Sequence, residues 1–337
     1  MVHPWFRRRR DNDSLAADGS IGEAPHGASS LPVLVPKPSP EPQHLVVWIK
    51  TLLATTPDWE NHEAAVRALL DSTATADLPP LDHEVRWNES WRTYPWESLT
   101  VSEAEHLIAR ATDPVTVAAG LSMHRNGRVR EAAVRALDLV DSPRVLRWLV
   151  MRCGDWAPQV RDRARPAVDR WLTPIHAGEF VDVLPMLQGG RFGPGRPAHD
   201  LCARVEQLLC DPAARLAVEA GAESPSRSVR RACVQLLVDL GGDVALLDRV
   251  IRTHDVVAIA IVAATIPTMG TSNRRTGEIL FQSPMARFRS EGLWRLTKSD
   301  APGSEDLVRS SLPDSAPSVR ELSCTARCST PTRPQPC

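Results

Sequence analysis

The sequence predicts an all-α fold, an α-solenoid of about six or seven stacked antiparallel helix pairs. Three observations support this prediction. From Asp113 onward the chain consists of short helical stretches in pairs. The second stretch of several pairs carries one pattern: an apolar residue n, Arg at n+1, a small residue at n+4 and an apolar residue at n+8. The copies recur near a fixed interval of about 30–35 residues, which is typical of helical repeat proteins.

The spacing of the copies sets the number of units. The leading apolar residues are Val129, Val160, Val229, Phe288 and Val319. They are 31, 69, 59 and 31 residues apart, and each long interval is close to two units. We therefore expect two hidden copies. One is Val256 with Ala260 and Ala264, where Val257 replaces the Arg; the other falls in 198–205.

Elementary helix geometry explains the pattern. Positions n, n+4 and n+8 share one helix face, and a small residue at n+4 lets a neighbouring helix approach closely. One pair cannot bury such a face alone, so neighbouring pairs must stack on it. Pro158 and Pro317 suit a first helical turn. The partner helices are expected at 143–152, 213–222, 243–253, 273–282 and 303–311.

The string Asp155…Pro158…Val160-Arg161…Ala164 and its relatives resemble the HEAT and HEAT-like repeats of bacterial proteins, including those of phycobilin lyases. The resemblance covers about residues 113–328. It implies a solenoid with a concave face for partners, and it does not imply a reaction. It also implies that the Arg of each copy pairs with an acidic residue of an adjacent turn. Asp155 and Asp314 are the expected acceptors.

The rest of the chain divides by composition. We expect a disordered Pro-rich segment at 1–42, a Trp-rich helical cap at 43–112, the repeats at 113–328 and a disordered tail at 329–337. Within the cap, one helix should start at His44 and another should run from an Asp58 N-cap to Leu70. A further helix should open at Ser102, which has capping-box spacing to Glu105.

Charge and composition exclude several classes of protein. Forty basic and 41 acidic residues give a net charge of −1, which excludes a bulk-basic nucleic-acid coat. No apolar run is long enough to span a membrane, and Arg7 to Arg10 lack the apolar stretch of an export signal, so we expect a cytoplasmic protein. The odd count of seven Cys argues against a disulfide framework.

The charges are nevertheless polarised along the chain. Residues 58–105 hold eleven acidic and three basic side chains, and 125–170 hold eleven basic and six acidic ones. The basic cluster could bind an acidic peptide or a phosphate backbone, or it could complement the acidic segment of the same molecule. The repeated arginines Arg130, Arg161, Arg230, Arg289 and Arg320 have the same two interpretations, a structural ladder or a basic stripe on the concave face.

Aromatic residues supply the other candidate contacts. Trp87, Trp91, Tyr94 and Trp96 form either a cap on the first repeat or an anchor for a partner. Trp156 follows Asp155, and that pair, with the Arg cluster, is the only feature comparable with alkylpurine DNA glycosylases of similar fold. Arg191 lies in a Gly-rich loop (189–195) that we interpret as an insertion between helices.

These observations predict a non-catalytic scaffold that binds a protein or peptide, without a cofactor or metal. The candidate contact residues are Arg128, Arg130, Arg161, Arg163, Arg230, Arg289, Trp87, Trp91, Trp156 and Arg191. The first alternative is a nucleic-acid-binding protein, with glycosylase chemistry as one form of it. The second is a lyase or chaperone for a cofactor-bearing protein, with Cys202 or Cys233 as a covalent handle, a role that burial of these thiols would preclude.

Overall fold

The computed structural model describes residues 59–87, 96–189, 192, 198–266, 271–298 and 304–329. Every regular element in these ranges is helical. The α-helices are α1 (Trp59–Ser72), α2 (Leu78–Trp87), α3 (Val101–Arg110), α4 (Pro114–Leu121), α5 (Gly127–Asp138), α6 (Leu146–Cys153), α7 (Pro158–Asp169), α8 (Ala177–Leu187), α9 (His199–Leu209), α10 (Arg215–Gly221), α11 (Arg227–Asp239), α12 (Val244–Val250), α13 (Val256–Thr265), α14 (Thr271–Phe281), α15 (Ala286–Lys298), α16 (Ser304–Ser311) and α17 (Pro317–Ser329).

From α4 onward the described helices form seven consecutive pairs, α4/α5 to α16/α17. The two helices of every pair contact each other, and every pair contacts the pair that follows it in the chain. The all-helical prediction is confirmed. The expected partner helices lie where the sequence placed them, and helices begin at Pro158 and at Pro317 as predicted.

The repeated pattern forms the buried face of its helices. Val129, Ala133 and Leu137 on α5 are each 0% exposed. In the fourth copy the small residue is Gly292, where an added Cβ would lie 2.4 Å from the backbone nitrogen of Phe281. Such a contact is far too short, so α14 and α15 approach at a distance that only glycine permits at this position.

The predicted register of the hidden copy in α13 is wrong. Val256 is 40% exposed, whereas Ala258, Val262 and Ile266 occupy the buried n, n+4 and n+8 positions. The reason is local. In α7 the leading Val160 is the third residue of the helix, and the third residue of α13 is Ala258, whereas Val256 is the first. The first buried position of the pattern therefore lies two residues after Val256.

The capping box of α3 is also displaced from its predicted place. Its N-cap is Thr100, not Ser102, and its partner is Glu103. The Thr100 N–H donates to Glu103 Oε2 at 2.8 Å, and the Glu103 N–H donates to Thr100 Oγ1 at 3.2 Å. Two overlapping strings of the same type stand in the sequence, and the earlier one caps the helix.

The segment 59–112, called here the N-terminal segment, contacts the first three helix pairs. Helix α3 packs on both helices of the first pair, and α1 packs on α4. Further along, the Thr75 hydroxyl donates to the carbonyl of Asp182 in α8, the first helix of the third pair. The segment therefore packs on the first pair and also contacts the next two. The proposed helix near His44 and the Asp58 cap lie outside the described residues.

Salt bridges hold the N-terminal segment on the helix pairs. They are Arg125–Glu97, Arg135–Glu105, Arg144–Asp71, Arg147–Asp71 and Arg152–Asp82. Five arginines of the basic stretch therefore pair with acids of the acidic stretch. For these five arginines, the interpretation that the basic stretch complements the acidic segment of the same molecule is the one that applies. No helix in the described ranges is long and apolar enough to cross a membrane.

Candidate partner-binding site

The repeated arginines form a regular ladder. Arg130 donates from Nε and Nη2 to the two carboxylate oxygens of Asp155, at 3.0 and 2.8 Å. Arg289 contacts Asp314 in the same way, at 2.8 and 2.9 Å. These two pairings confirm the acceptors expected from the sequence. Bidentate Arg–carboxylate pairs of this kind are the strong, geometrically specific ones.

A third rung of the ladder joins Arg230 to Asp255, with Nη2 3.0 Å from Oδ2. In all three rungs the acid lies 25 residues after the arginine. We had not assigned Asp255 as an acceptor. The offset of 25 residues from Arg130 to Asp155, applied to Arg230, would have found it.

Each arginine of the pattern also fastens the turn before its own helix. In all five copies Nη1 donates to the backbone carbonyl six residues earlier, as for Arg130 to His124 at 2.9 Å. That carbonyl belongs to the turn between the two helices of a pair. One guanidinium therefore holds its own turn, and in the three rungs it also holds the turn of the next pair.

The ladder encloses three of the arginines that were candidates for contact with a partner. Arg130 and Arg230 are 0% and 6% exposed, and Arg289 is largely enclosed, so their guanidinium groups serve the interior rather than a surface stripe. Arg163 is exposed and pairs with Asp138 at 3.4 Å. Arg128 is exposed, and its side chain has no partner among the described residues. Of these five candidate arginines, only Arg128 and Arg163 are exposed.

The first rung is part of a larger buried group, the Asp155 cluster, which comprises Asp82, Arg86, Arg130, Arg152 and Asp155. Asp155 accepts from Arg130, from Arg86 Nη2 at 2.9 Å and from Arg152 Nη1 at 3.0 Å. Asp82 accepts from Arg86 Nε at 2.9 Å and from Arg152 Nη2 at 2.6 Å. All five residues are less than 10% exposed.

Sequence reasoning missed Asp82, Arg86 and Arg152. Their links to the cluster span 69 and 70 residues and join α2 to α6 and to the turn after it. Three guanidinium groups meet two carboxylates there, and Arg152 Nε has no hydrogen-bond partner. A buried group of this composition is strongly destabilised if either acid is removed.

Two tryptophans are exposed beside this cluster. Trp87 is 50% and Trp156 is 67% exposed. The Arg125 guanidinium lies 5.7 Å from the Trp87 ring centroid, and that of Arg130 lies 5.3 Å from the Trp156 ring. Trp87 directly follows Arg86, and Trp156 directly follows Asp155. Because Arg86 bonds Asp155, the backbone positions that carry the two indoles lie near one another, and these two exposed residues are called here the tryptophan edge.

The other aromatic candidates divide into buried and undescribed ones. Trp96 is 3% exposed and packs edge-on against His124, with ring centroids 4.3 Å apart. Its carbonyl lies 2.7 Å from His124 Nε2. Trp96 therefore anchors the N-terminal segment and is not available to a partner. Trp91 lies outside the described residues.

The Gly-rich insertion meets the same edge. Phe192 is 1% exposed, and a Cβ added to Gly154 would lie 3.1 Å from its ring. The insertion is thus anchored against the turn that carries Trp156. Arg191 itself lies outside the described residues, one position from this anchor.

The described residues offer little for covalent or metal chemistry. Burial raises the pKa of both Cys202 and Cys233 to about 12, so each remains a thiol at neutral pH. No group of three or more His, Cys, Asp or Glu in the described ranges is arranged to hold a metal ion.

Comparison with known proteins supplies no family for this chain. No protein-family model matches the chain, and no curated protein is significantly similar to it.

Proposed function

We propose that the protein is a non-catalytic scaffold, a HEAT-like solenoid of helix pairs, that binds a protein partner through the tryptophan edge. The observation that carries the proposal is the exposure of Trp87 and Trp156, which directly follow the two residues of one buried ion pair, Arg86–Asp155. Rigidly held Trp and Arg side chains are the residue types that dominate binding energy at protein interfaces. The edge takes the place of the concave face in our proposal.

The rigidity of the edge supports this role. The turn that carries Trp156 is held by Asp155, whose carboxylate also accepts the Ala157 N–H at 2.9 Å. The end of α2 that carries Trp87 is held by Arg86 in the Asp155 cluster. A partner therefore meets two large apolar surfaces that lose little conformational freedom on binding, which favours affinity.

The nucleic-acid alternative has weaker support. Five arginines of the basic stretch are paired with acids of the N-terminal segment, which reduces the charge available to a phosphate backbone. The glycosylase form of this alternative needs a reactive carboxylate. Asp155 receives hydrogen bonds from three arginines and a backbone N–H, which favours a structural role for it.

The test is affinity purification of the tagged full-length chain from its native cells, with nuclease treatment and mass spectrometry. A stoichiometric protein partner is expected with the unmodified chain. The double variant Trp87→Ala/Trp156→Ala should lose it. The matched control is Trp294→Ala, which removes an indole that is 37% exposed on α15 and should retain the partner.

Two results would contradict the proposal. One is retention of the same partner by the double variant. The other is recovery of nucleic acid alone when the nuclease is omitted, with binding that falls steeply as salt is raised.

A further inference from the structure

Of the six junctions between consecutive described pairs, called here joints, three carry a rung of the ladder, and the joint after the second pair has a pattern arginine without a rung. Arg161 occupies the same pattern position as Arg130, Arg230 and Arg289, but the residue 25 positions later is Met186, inside α8. The stretch between α8 and α9 contains no Asp or Glu from residue 189 to residue 198. Arg161 is therefore the pattern arginine that is followed by another helix pair and receives no carboxylate from it in the described structure.

The guanidinium of Arg161 is nevertheless positioned as in the filled joints. Its Nη1 donates to the Asp155 carbonyl at 3.3 Å, six residues earlier, as in every other copy. The side chain is only 18% exposed. Its nearest carboxylate is that of Asp162, 66% exposed, with Oδ1 3.6 Å from Nε, which is too long for a hydrogen bond. Nη2 has no partner among the described residues.

The three joints that carry a rung indicate what the Nε and Nη2 donors of such an arginine, called here its fork, bind. In each of them Nε and Nη2 contact the carboxylate of one aspartate from the next turn. Since the clamp on Nη1 is retained at Arg161, the free donors are fixed in advance. A planar guanidinium held in this way matches a carboxylate in two parallel hydrogen bonds.

Apart from the exposed Asp162, the surroundings of this fork carry positive charge. Residues 189–198 of the sequence contain Arg191 and Arg196 but no Asp or Glu. The next acid along the chain, Asp200, pairs with Arg165 at 3.4 Å. The complementary ligand is therefore an acid from outside this joint.

We propose that an Asp or Glu side chain of a partner protein occupies the Arg161 fork and stands in for the missing ladder aspartate. The inference rests on the proposed function and deepens it, because it names the chemistry of the partner: an acidic segment. Trp156 lies in the turn that Arg161 clamps. The acid is thereby expected to adjoin an apolar or aromatic residue of the partner that packs on the exposed indole.

The probe is fluorescein-labelled hexaglutamate, titrated with the purified full-length chain at low salt and followed by fluorescence anisotropy. Saturable binding is expected. Arg161→Gln should weaken it about tenfold, which corresponds to about 1.4 kcal/mol. Arg161→Lys keeps the charge but loses the fork, so it should recover only part of that loss. Arg252→Gln, which removes an arginine that is 73% exposed on another turn, should change affinity less than twofold.

Three results would overturn the inference: no saturable binding, equal loss with Arg161→Gln and Arg252→Gln, or full recovery with Arg161→Lys. A labelled oligothymidine that binds more tightly than hexaglutamate, with the same dependence on Arg161, would assign the fork to phosphate and also overturn it. These outcomes are separate from the Trp87/Trp156 purification, which tests the scaffold without reference to Arg161. Circular dichroism establishes that each variant is folded.

Discussion

The joint between the first two helix pairs and the joint after the second pair use the same arginine position in opposite ways. At the first joint Arg130 is wholly buried and both carboxylate oxygens of Asp155 are bound to it. At the second joint Arg161 clamps its own turn but no carboxylate from the next pair reaches it. The arginine is therefore a structural link where the next pair supplies an acid, and an available donor where the described part of the next pair supplies none.

The comparison teaches that a repeat position has no fixed role. The pattern sets where the arginine points, because the turn clamp is local. Whether the arginine forms an ion pair depends on whether the next helix pair places an acid beside it. The first joint also recruits Arg86 and Asp82 from the N-terminal segment, so it is reinforced from a second direction.

The largest expected effect comes from removing the acid of the filled joint. Asp155→Ala leaves three buried guanidinium groups without one of their two carboxylates, and we expect a loss of about 3–5 kcal/mol in the free energy of unfolding. Urea denaturation followed by circular dichroism measures it. Asp162→Ala, beside the open joint, should change the same quantity by no more than about 0.5 kcal/mol. Similar losses in the two variants would contradict the comparison.

The next effect concerns the close approach of α14 and α15. Gly292→Ala places a Cβ against backbone atoms of Phe281 and Gly277, and we expect a loss of about 1–3 kcal/mol in unfolding free energy. Gly178→Ala is the matched control, because an added Cβ there meets nothing within 4 Å. It should be neutral or slightly stabilising, since alanine has the higher helix propensity. A neutral Gly292→Ala would show that the helices can separate at little cost.

A smaller effect distinguishes the filled and open joints directly. Arg289→Gln loses both the Asp314 pair and the turn clamp, and we expect it to lower the free energy of unfolding by about 1–2 kcal/mol. Arg161→Gln loses only the clamp, so its cost should be about half as large. Parallel urea titrations of the two variants measure the difference. An equal cost would mean that Arg161 has an internal carboxylate partner.

The smallest effect is a pH dependence at the first joint. Burial lowers the pKa of His124, although its contacts with Trp96 and Asn126 oppose the shift. The unfolded chain therefore takes up a proton near pH 6.5 that the folded chain does not, so stability falls as the pH drops below that value. His124→Gln should flatten the decline in unfolding free energy between pH 7 and 5. His106→Gln, on an exposed face of α3, should leave it unchanged, and the reverse result would contradict the assignment.

Much of the fold was predictable because its signals are local. The partner helices, the helix starts at Pro158 and Pro317 and the buried face of Val129 follow from periodicity and capping within a few residues. Two registers were wrong for an equally local reason. At α3 two overlapping capping strings competed, and at α13 the predicted leading residue, Val256, is the first residue of the helix and not the third.

The candidate site was predictable only in part. Trp87 and Trp156 were proposed from the sequence, and both are exposed beside residues of one buried ion pair, Arg86–Asp155. Their common support by Arg86, Arg152 and Asp82 was not foreseen, because those contacts join positions about 70 residues apart. No pattern within a single helix pair indicates which arginine of another segment will meet a given acid.

By itself, the sequence determined that this chain forms paired helices with a small-residue face and an arginine at the same position in five of them. These features depend on helix periodicity. Only the tertiary structure decided which arginines are buried in ion pairs and that the fork of Arg161 has no such partner. Charge pairing depends on which segments packing brings within hydrogen-bond distance, and that is a property of the folded chain.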